Sequence, residues 1–319
     1  MSRADQTISQ ALRRYLPRGA KLLVAVSGGR DSVCLLHACA ALQKLFALSI
    51  EMAHVDHGLR VGSSRDARFV EKLAEQYCFP FHLKTASRPG RGVNLEAWGR
   101  KLRYDFFNEV ILKRKLDLVL TAHTADDVAE TFLMRLIANK ELGSIDRFDP
   151  RRHCLRPFLN VTRSEIVSYI KRHRLQFVED STNNDTRLLR NRVRHRLLKI
   201  LAEEFDPRIV EVLSIRAQAV LEDSGYLYEL AEKAQKKIEP LEFGSKAWLK
   251  TVRGELNKLG APLKWRLAEG LFREKLGYKL GRTKARSLVA FLQGEAVGLE
   301  LPGAVSIRRK MGGIVLCRH

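Results

Sequence analysis

With 319 residues the chain is long enough to build two hydrophobic cores, and its 45% hydrophobic content is that of ordinary globular material. Its formal net charge of +21 is what neither a purely structural role nor a small neutral substrate would call for, and it favours a polyanionic partner. Cys34, Cys39, Cys78, Cys154 and Cys317 are scattered without a paired or metal-finger spacing, which reads as reduced, packed thiols of a cytoplasmic protein rather than a disulfide scaffold.

The N-terminus carries Arg3 and Asp5 and no apolar signal core, so secretion is not expected. Four β-rich runs, Lys21 to Ser27, Leu48 to Asp56, Pro80 to Thr85 and Asp117 to Ala122, then alternate with helical patterns. The helical patterns are Ser32 to Leu45, Arg65 to Cys78, Leu95 to Lys115 and Asp126 to Ala138. The longest apolar stretch, Val33 to Ile50, is interrupted by His37, Gln43 and Lys44, so it is a buried helix followed by a strand and not a membrane span. This rhythm predicts an α/β fold with a doubly wound parallel sheet, and such sheets bind ligands beyond the carboxyl ends of their strands. After Pro150 the alternation stops. A basic segment runs through residues 151–200, and helical patterns follow at Ile209 to Ile238, Ser245 to Leu259 and Pro262 to Lys275. The end, Gly298 to Cys317, reads as short strands with Gly312-Gly313 as a hairpin turn. A boundary near Asp206-Pro207 would separate a catalytic domain, 1–205, from a smaller, mainly helical second domain, 206–319, ending in a short β unit.

Polar clusters fall at the strand ends. Ser27-Gly28-Gly29-Arg30-Asp31-Ser32 lies between the apolar run Leu22 to Val26 and the helix beginning near Val33. Two glycines let the backbone approach an anion, the helix adds the positive end of its dipole, and Ser27 and Ser32 add hydroxyl donors. The segment therefore reads as a nucleotide phosphate loop, although it is neither a Walker motif nor the three-glycine dinucleotide fingerprint. The plainer alternative is a strand-to-helix turn capped by Asp31 or Ser32. His54, Asp56 and His57 close the second strand. On an alternating strand end they do not face one point, so a nucleotide contact or a buried hydrogen bond is expected rather than a zinc site. Asp126, Asp127 and Glu130 open the helical pattern after the fourth strand, either as N-terminal caps or as a site for Mg²⁺ or a cationic substrate. In Leu95 to Tyr104, the stripe Trp98, Leu102 and Phe106 leaves Glu96, Arg100 and Arg103 facing solvent or the crevice.

Residues 151–200 hold 13 basic and 4 acidic side chains. Within Thr186 to Lys199 six basic residues, among them Arg190 and Arg194, occur with no acid, while Leu189, Val193, Leu197 and Ile200 keep an apolar stripe. An all-basic flank repels itself, which favours phosphate binding over a merely solvated face.

Ser27 to Ser32 resembles the signature of the PP-loop ATP pyrophosphatases, whose domain is Rossmann-like. With His54 to Arg60, Leu95 to Tyr104, Thr121 to Thr131, Arg156-Pro157, Arg163 to Ile166, Glu179 to Asn183 and Arg190 to Arg194, residues 20 to 200 resemble the tRNA(Ile)-lysidine synthetase family. The resemblance implies that ATP adenylates the C2 oxygen of the wobble cytidine in a CAU anticodon, releasing pyrophosphate, and that the ε-amine of free lysine then displaces AMP. By matching positions, Ser27, Gly28, Gly29, Arg30, Asp31 and Ser32 would hold the phosphates, with Asp31 on Mg²⁺, and Ala25 and His54 would lie near the adenosine. Arg103 and His123 would lie near the activated base, and Asp127 and Glu130 would hold the lysine. Arg100, Arg190, Asn191 and Arg194 would contact tRNA or the adenylate. The C-terminal part would be a further tRNA-contacting domain, no membrane is involved, and a homodimer is compatible with the pattern. The chain departs from the family at Thr124, where a second histidine is usual, at Val128, where a glutamine is usual, and at Asn139 to Ile145, which replaces an Arg-Gly-x-Gly loop. Two other readings stay open: tRNA thiolation, which typically uses a cysteine pair near the loop, and an RNA-binding paralogue that has lost catalysis.

Overall fold

The computed structural model describes residues 2–59, 62–87, 89–90, 92–143, 145–179 and 187–319. Parts of the motifs at Arg60, Asp180 to Asn183 and Ser144 therefore lie outside the described residues.

Strands β1 (Lys21–Ala25), β2 (Ser49–Asp56), β3 (Phe81–Thr85), β4 (Leu118–Leu120), β5 (Phe148–Asp149) and β6 (Cys154–Leu155) form one sheet in the order β3-β2-β1-β4-β6-β5. All neighbours are parallel except β5 with β6. Leu22, Leu23 and Val24 of β1 have no exposed surface, as a central parallel strand covered on both faces requires. The order reverses direction between β1 and β4, and that switch point opens the crevice in which the polar strand ends meet.

Helices α2 (Arg30–Phe46), α3 (Ser63–Tyr77), α4 (Leu95–Arg114) and α5 (Ala125–Ile137) follow the expected alternation. Two further helices were not expected. Helix α1 (Arg3–Tyr15) starts with a capping box between Ser2 and Asp5 and buries Ala4, Ile8 and Leu12 at intervals of four. Helix α6 (Arg163–His173) starts with a second capping box, Thr162 with Glu165. The two pack together, and Asp5 is held by Arg172 and His173 at 3.0 Å each.

The basic segment is helical in three pieces, α7 (Leu189–Arg192), a π turn (Val193–Leu197) and α8 (Leu198–Glu204). The π turn adds a residue to one helical turn and rotates everything after it. The expected stripe therefore breaks: Val193 and Leu198 are buried, whereas Ile200 is 46% exposed.

By its internal contacts the chain forms two units, 1–134 with 144–218 and 135–143 with 219–319. Asp206-Pro207 lies within the first, and the chain passes from one to the other inside α9 (Ile209–Gln235). The second unit contains α10 (Lys246–Lys258), α11 (Ala261–Leu276), α12 (Arg282–Gln293) and an antiparallel sheet of β7 (Gly298–Leu301), β8 (Val305–Lys310) and β9 (Gly313–Arg318). Its core is built on Trp248, Trp265, Phe272, Phe291 and Ile307. The β8–β9 turn is Met311-Gly312, one residue earlier than expected, with φ of 48° and 80° as a twisted hairpin turn demands. Gly313 is instead the first residue of β9. Among the described residues no helix is long and apolar enough to cross a membrane.

Candidate active site

A cleft of about 1000 Å³ lies over the carboxyl ends of β1, β2 and β4. Its floor is the loop after β1. Gly28, at φ +88°, makes the turn: a Cβ there would lie 3.4 Å from Val70 and 3.5 Å from Phe69, so this residue faces the packed side and does not line the cleft. Ala25, Ser27, Gly29, Arg30, Asp31 and Ser32 do line it. The loop braces itself through Ser32, whose hydroxyl donates to the Gly29 carbonyl at 2.8 Å and accepts from the Ser27 N–H at 3.2 Å. The N-cap of α2 is Gly29, and no side chain caps the helix. The first-turn N–H groups of Arg30, Asp31 and Ser32 thus remain available for an anion at the positive end of the dipole, and the capped-turn alternative does not apply.

Phe177, Val178 and Glu179 form one wall. The Val178 N–H donates to the Gly28 carbonyl at 2.9 Å, and the Arg30 guanidinium lies 5.5 Å from the Phe177 ring centre. His54 and Asp56 of β2, and His57 just after it, all border the cleft. His54 is buried and its Nδ1 shares a 2.7 Å hydrogen bond with the Val26 carbonyl, so it ties the β2 end to the phosphate loop. Among the described residues no cluster of three His, Cys, Asp or Glu side chains could hold a metal on its own.

Arg100 and Arg103 of α4 line the cleft and remain exposed there. The buried face of α4 is Gly99, Tyr104, Phe106, Phe107, Val110 and Ile111, with Trp98 and Leu102 half-buried. His123, after β4, shares a 3.0 Å hydrogen bond between its Nδ1 and Thr121 Oγ1, which also lies 3.6 Å from Cys154 Sγ. Burial pushes His123 down to about 4, so its imidazole is neutral at physiological pH.

The acidic cluster is already paired. Asp127 Oδ2 accepts from the Thr124 N–H at 2.9 Å and its own N–H returns to Thr124 Oγ1, a reciprocal cap of α5. Asp127 Oδ1 accepts from Arg190 at 2.8 Å. Glu130, with no exposed surface, accepts from Arg190 Nε at 2.8 Å and from Arg194 Nε and Nη2 at 2.6 and 3.0 Å. Glu130 therefore lies behind the cleft lining, whereas Asp127, Arg190, Asn191 and Arg194 are part of it. Arg163 closes the set, with Nη1 3.5 Å from both Asp126 and Glu130. The sequence offered no signal for Arg163 beyond its motif, because its partners are more than thirty residues away. Asp126 turns from the cleft and accepts from the Arg163 N–H at 2.7 Å.

Among the described residues one carboxylate oxygen of the cleft is both buried and unsatisfied. Asp31 Oδ1 is buried without a hydrogen-bond partner, and burial pushes this acid up to about 6, with Arg163 opposing and Asp127 adding to the rise. An orphaned carboxylate oxygen beside free helix N–H groups suits Mg²⁺, which takes one or two protein carboxylates and completes its shell with phosphate oxygens and water.

Two of the family departures are absorbed by packing. Thr124 replaces a histidine with the cap just described, and Val128 is buried with Leu159 and Ala217, against Phe132 and Ile145. The positions of a usual glutamine and of the end of the Arg-Gly-x-Gly loop thus meet in one small apolar cluster.

Comparison with known proteins agrees with this geometry. The PP-loop domain family matches residues 2–201. A tRNA(Ile)-lysidine synthase of Gloeobacter violaceus is 36% identical over 239 residues, 72% of this chain and 73% of that protein. The chain belongs to the tRNA(Ile)-lysidine synthase family of PP-loop proteins. A lysidine synthase of Nostoc sp. is 33% identical over 72% of this chain and 69% of its own length. That of Solibacter usitatus is 39% identical over 65% of this chain, which spans about half, 47%, of that relative's length. Among solved structures, the U34-tRNA thiolase NcsA of Methanococcus maripaludis matches with a TM-score of 0.59 at 16% identity, covering 69% of this chain and 78% of that one, a likeness of fold.

Proposed function

We propose that this lysidine synthase family member uses ATP to activate the wobble cytidine of a CAU-anticodon tRNA and joins free lysine to its C2. The observation that carries the reading is the convergence, in one cleft, of uncapped helix N–H groups, an unpaired Asp31 and the arginine-covered acids of α5. The first-turn N–H groups of α2 and Ser27 hold the departing β and γ phosphates, and Ala25 and His54 border the adenosine. Asp31 would hold Mg²⁺, which would neutralise phosphate charge. Arg103 and neutral His123 orient the cytosine so that its C2 oxygen attacks the α-phosphorus, forming one P–O bond and breaking the bond to pyrophosphate.

The lysine step explains the paired acids. An incoming ammonium needs counter-charge and must lose a proton before its nitrogen attacks C2 and AMP leaves. Arg190 and Arg194 occupy Asp127 and Glu130. In the proposed cycle these guanidiniums exchange carboxylate for tRNA or adenylate phosphate, aided by Asn191 and Arg100, which leaves Asp127, on the cleft lining, to receive the amine with the charge of Glu130 behind it. Lysine would then bind productively only after tRNA.

Thiolation is disfavoured because Cys34 and Cys39 are fully enclosed in α2 and burial raises both thiols, Cys39 to about 12. The deciding experiment combines the protein, ATP, Mg²⁺, labelled lysine and tRNA. Label on tRNA with equimolar AMP is expected; AMP without label would mean another nucleophile, and neither would leave a binding protein.

Thr121 is expected to position His123. Thr121→Val removes the hydroxyl at equal volume, and kcat should fall roughly tenfold with the ATP KM unchanged, while Thr121→Ser restores it. A Val variant with wild-type kcat would show that His123 needs no such support.

A further inference from the structure

A second concentration of positive charge on the first unit lies outside the cleft. Helix α1 ends in Arg13, Arg14 and Tyr15, and a groove of about 480 Å³ is lined by Thr7, Gln10, these three residues and Asn160. The Tyr15 ring carries two guanidiniums, Arg14 at 5.4 Å and Arg147 at 4.2 Å from its centre. Arg147 is anchored from behind: Nη1 donates to the Arg156 and Pro157 carbonyls at 3.3 Å each, and Nη2 to Asn160 Oδ1 at 2.8 Å. Among the described residues no carboxylate pairs with Arg13, Arg14 or Arg147.

The helix dipole favours Arg13 and Arg14 in a last turn, but it does not account for Arg147, which the fold brings in from the segment before β5. Half-burial lowers Arg147 from its ordinary value, Tyr15 opposing and the like charge of Arg14 adding to the fall. Two cations on one ring, with neutral partners only, are a repulsive arrangement that an anion would relieve. Guanidinium planes match phosphate oxygens in pairs, and the tyrosine and asparagine add a stacking face and an amide. Asn160 is three residues from Arg163, which lines the cleft, so the groove begins within about 11 Å of chain from it. The loop before α6 thus links the groove, through Asn160, to the cleft, through Arg163.

We propose that Arg14, Tyr15, Arg147 and Asn160 form a phosphate clamp for the backbone of the bound tRNA, in addition to the contacts made in the cleft. The identity of the RNA rests on the functional reading above; the clamp itself rests on the groove.

The test is tRNA binding measured across a salt series for the full chain. Arg14→Gln, which breaks no hydrogen bond of the fold, should lower the slope of log affinity against log salt by roughly one and weaken binding roughly threefold to tenfold. Arg147→Gln should do the same, and the double Arg→Lys variant should keep the wild-type slope. Affinity for ATP and kcat at saturating tRNA should not change. Wild-type binding with an unaltered slope in Arg14→Gln would overturn the clamp alone. A wild-type protein that binds no tRNA would overturn the functional reading, and the clamp with it.

Discussion

Glu130→Ala is expected to destabilise the protein by about 3–5 kcal/mol, the loss found when one partner of a buried ion pair is removed. Glu130 has no exposed surface and gathers Arg190, Arg194 and Arg163 within 3.5 Å. Without it, three guanidiniums share Asp127 and Asp126, and at least one of them is left in a half-dry site without a counter-charge. Glu130→Gln should cost less, because it keeps the volume and one accepting oxygen. Urea unfolding with an unchanged slope checks the magnitude. A loss under about 1 kcal/mol would mean that the arginines escape to water, and that the carboxylate cluster is not what holds α7 and the π turn against α5.

Asp31→Asn should have opposite effects on activity and stability. Turnover should fall at least about a hundredfold, since the buried, unsatisfied carboxylate beside the phosphate loop is lost. The ligand-free protein should meanwhile become more stable at alkaline pH. Asp31 is raised from 3.8 to about 6 chiefly by burial, so the fold disfavours its charged form. A raised carboxyl costs nothing below its unfolded value; the penalty grows between pH 4 and 6 and is complete above that, at about 3 kcal/mol for two units. Melting curves without ATP or Mg²⁺ should therefore coincide for wild type and Asp31→Asn at pH 4 and separate by several degrees at pH 8. Saturating ATP and Mg²⁺ should abolish or reverse the gap, because only the wild type gains from binding the cation. Equal melting temperatures at pH 8 would contradict a buried, unpaired Asp31.

What the sequence made legible was local. The alternation of β1 to β4 with α2 to α5 rests on periodicity, and the phosphate loop on adjacent glycines between a strand and a helix; both are readable within a few residues. The helices α1 and α6 were also marked, by Ser2 with Asp5 and by Thr162 with Glu165, and were missed because no long apolar run accompanied them. Strands β5 and β6, two residues each, exist only through pairing with each other and with β4, which leaves no period to detect. The stripe ending at Ile200 failed for a different reason: a π turn changes the helical phase, and no residue type announces it. The acidic cluster was visible at Asp126, Asp127 and Glu130, yet its neutralisation by Arg163, Arg190 and Arg194 is tertiary and had no local sign. The same holds for Arg14 with Arg147, neighbours only once α1 meets the segment before β5.

On the proposed reading, ATP is cleaved between its α and β phosphates in the cleft above Gly29 and Asp31, with the tRNA as acceptor. ATP labelled at the α-phosphate, mixed with tRNA and Mg²⁺ but no lysine, measures this most directly. Label should appear on the tRNA with one pyrophosphate per event and leave it as AMP when lysine is added, and Asp31→Asn should show neither. Formation of ADP and inorganic phosphate, or pyrophosphate release with no label ever reaching tRNA, would contradict it.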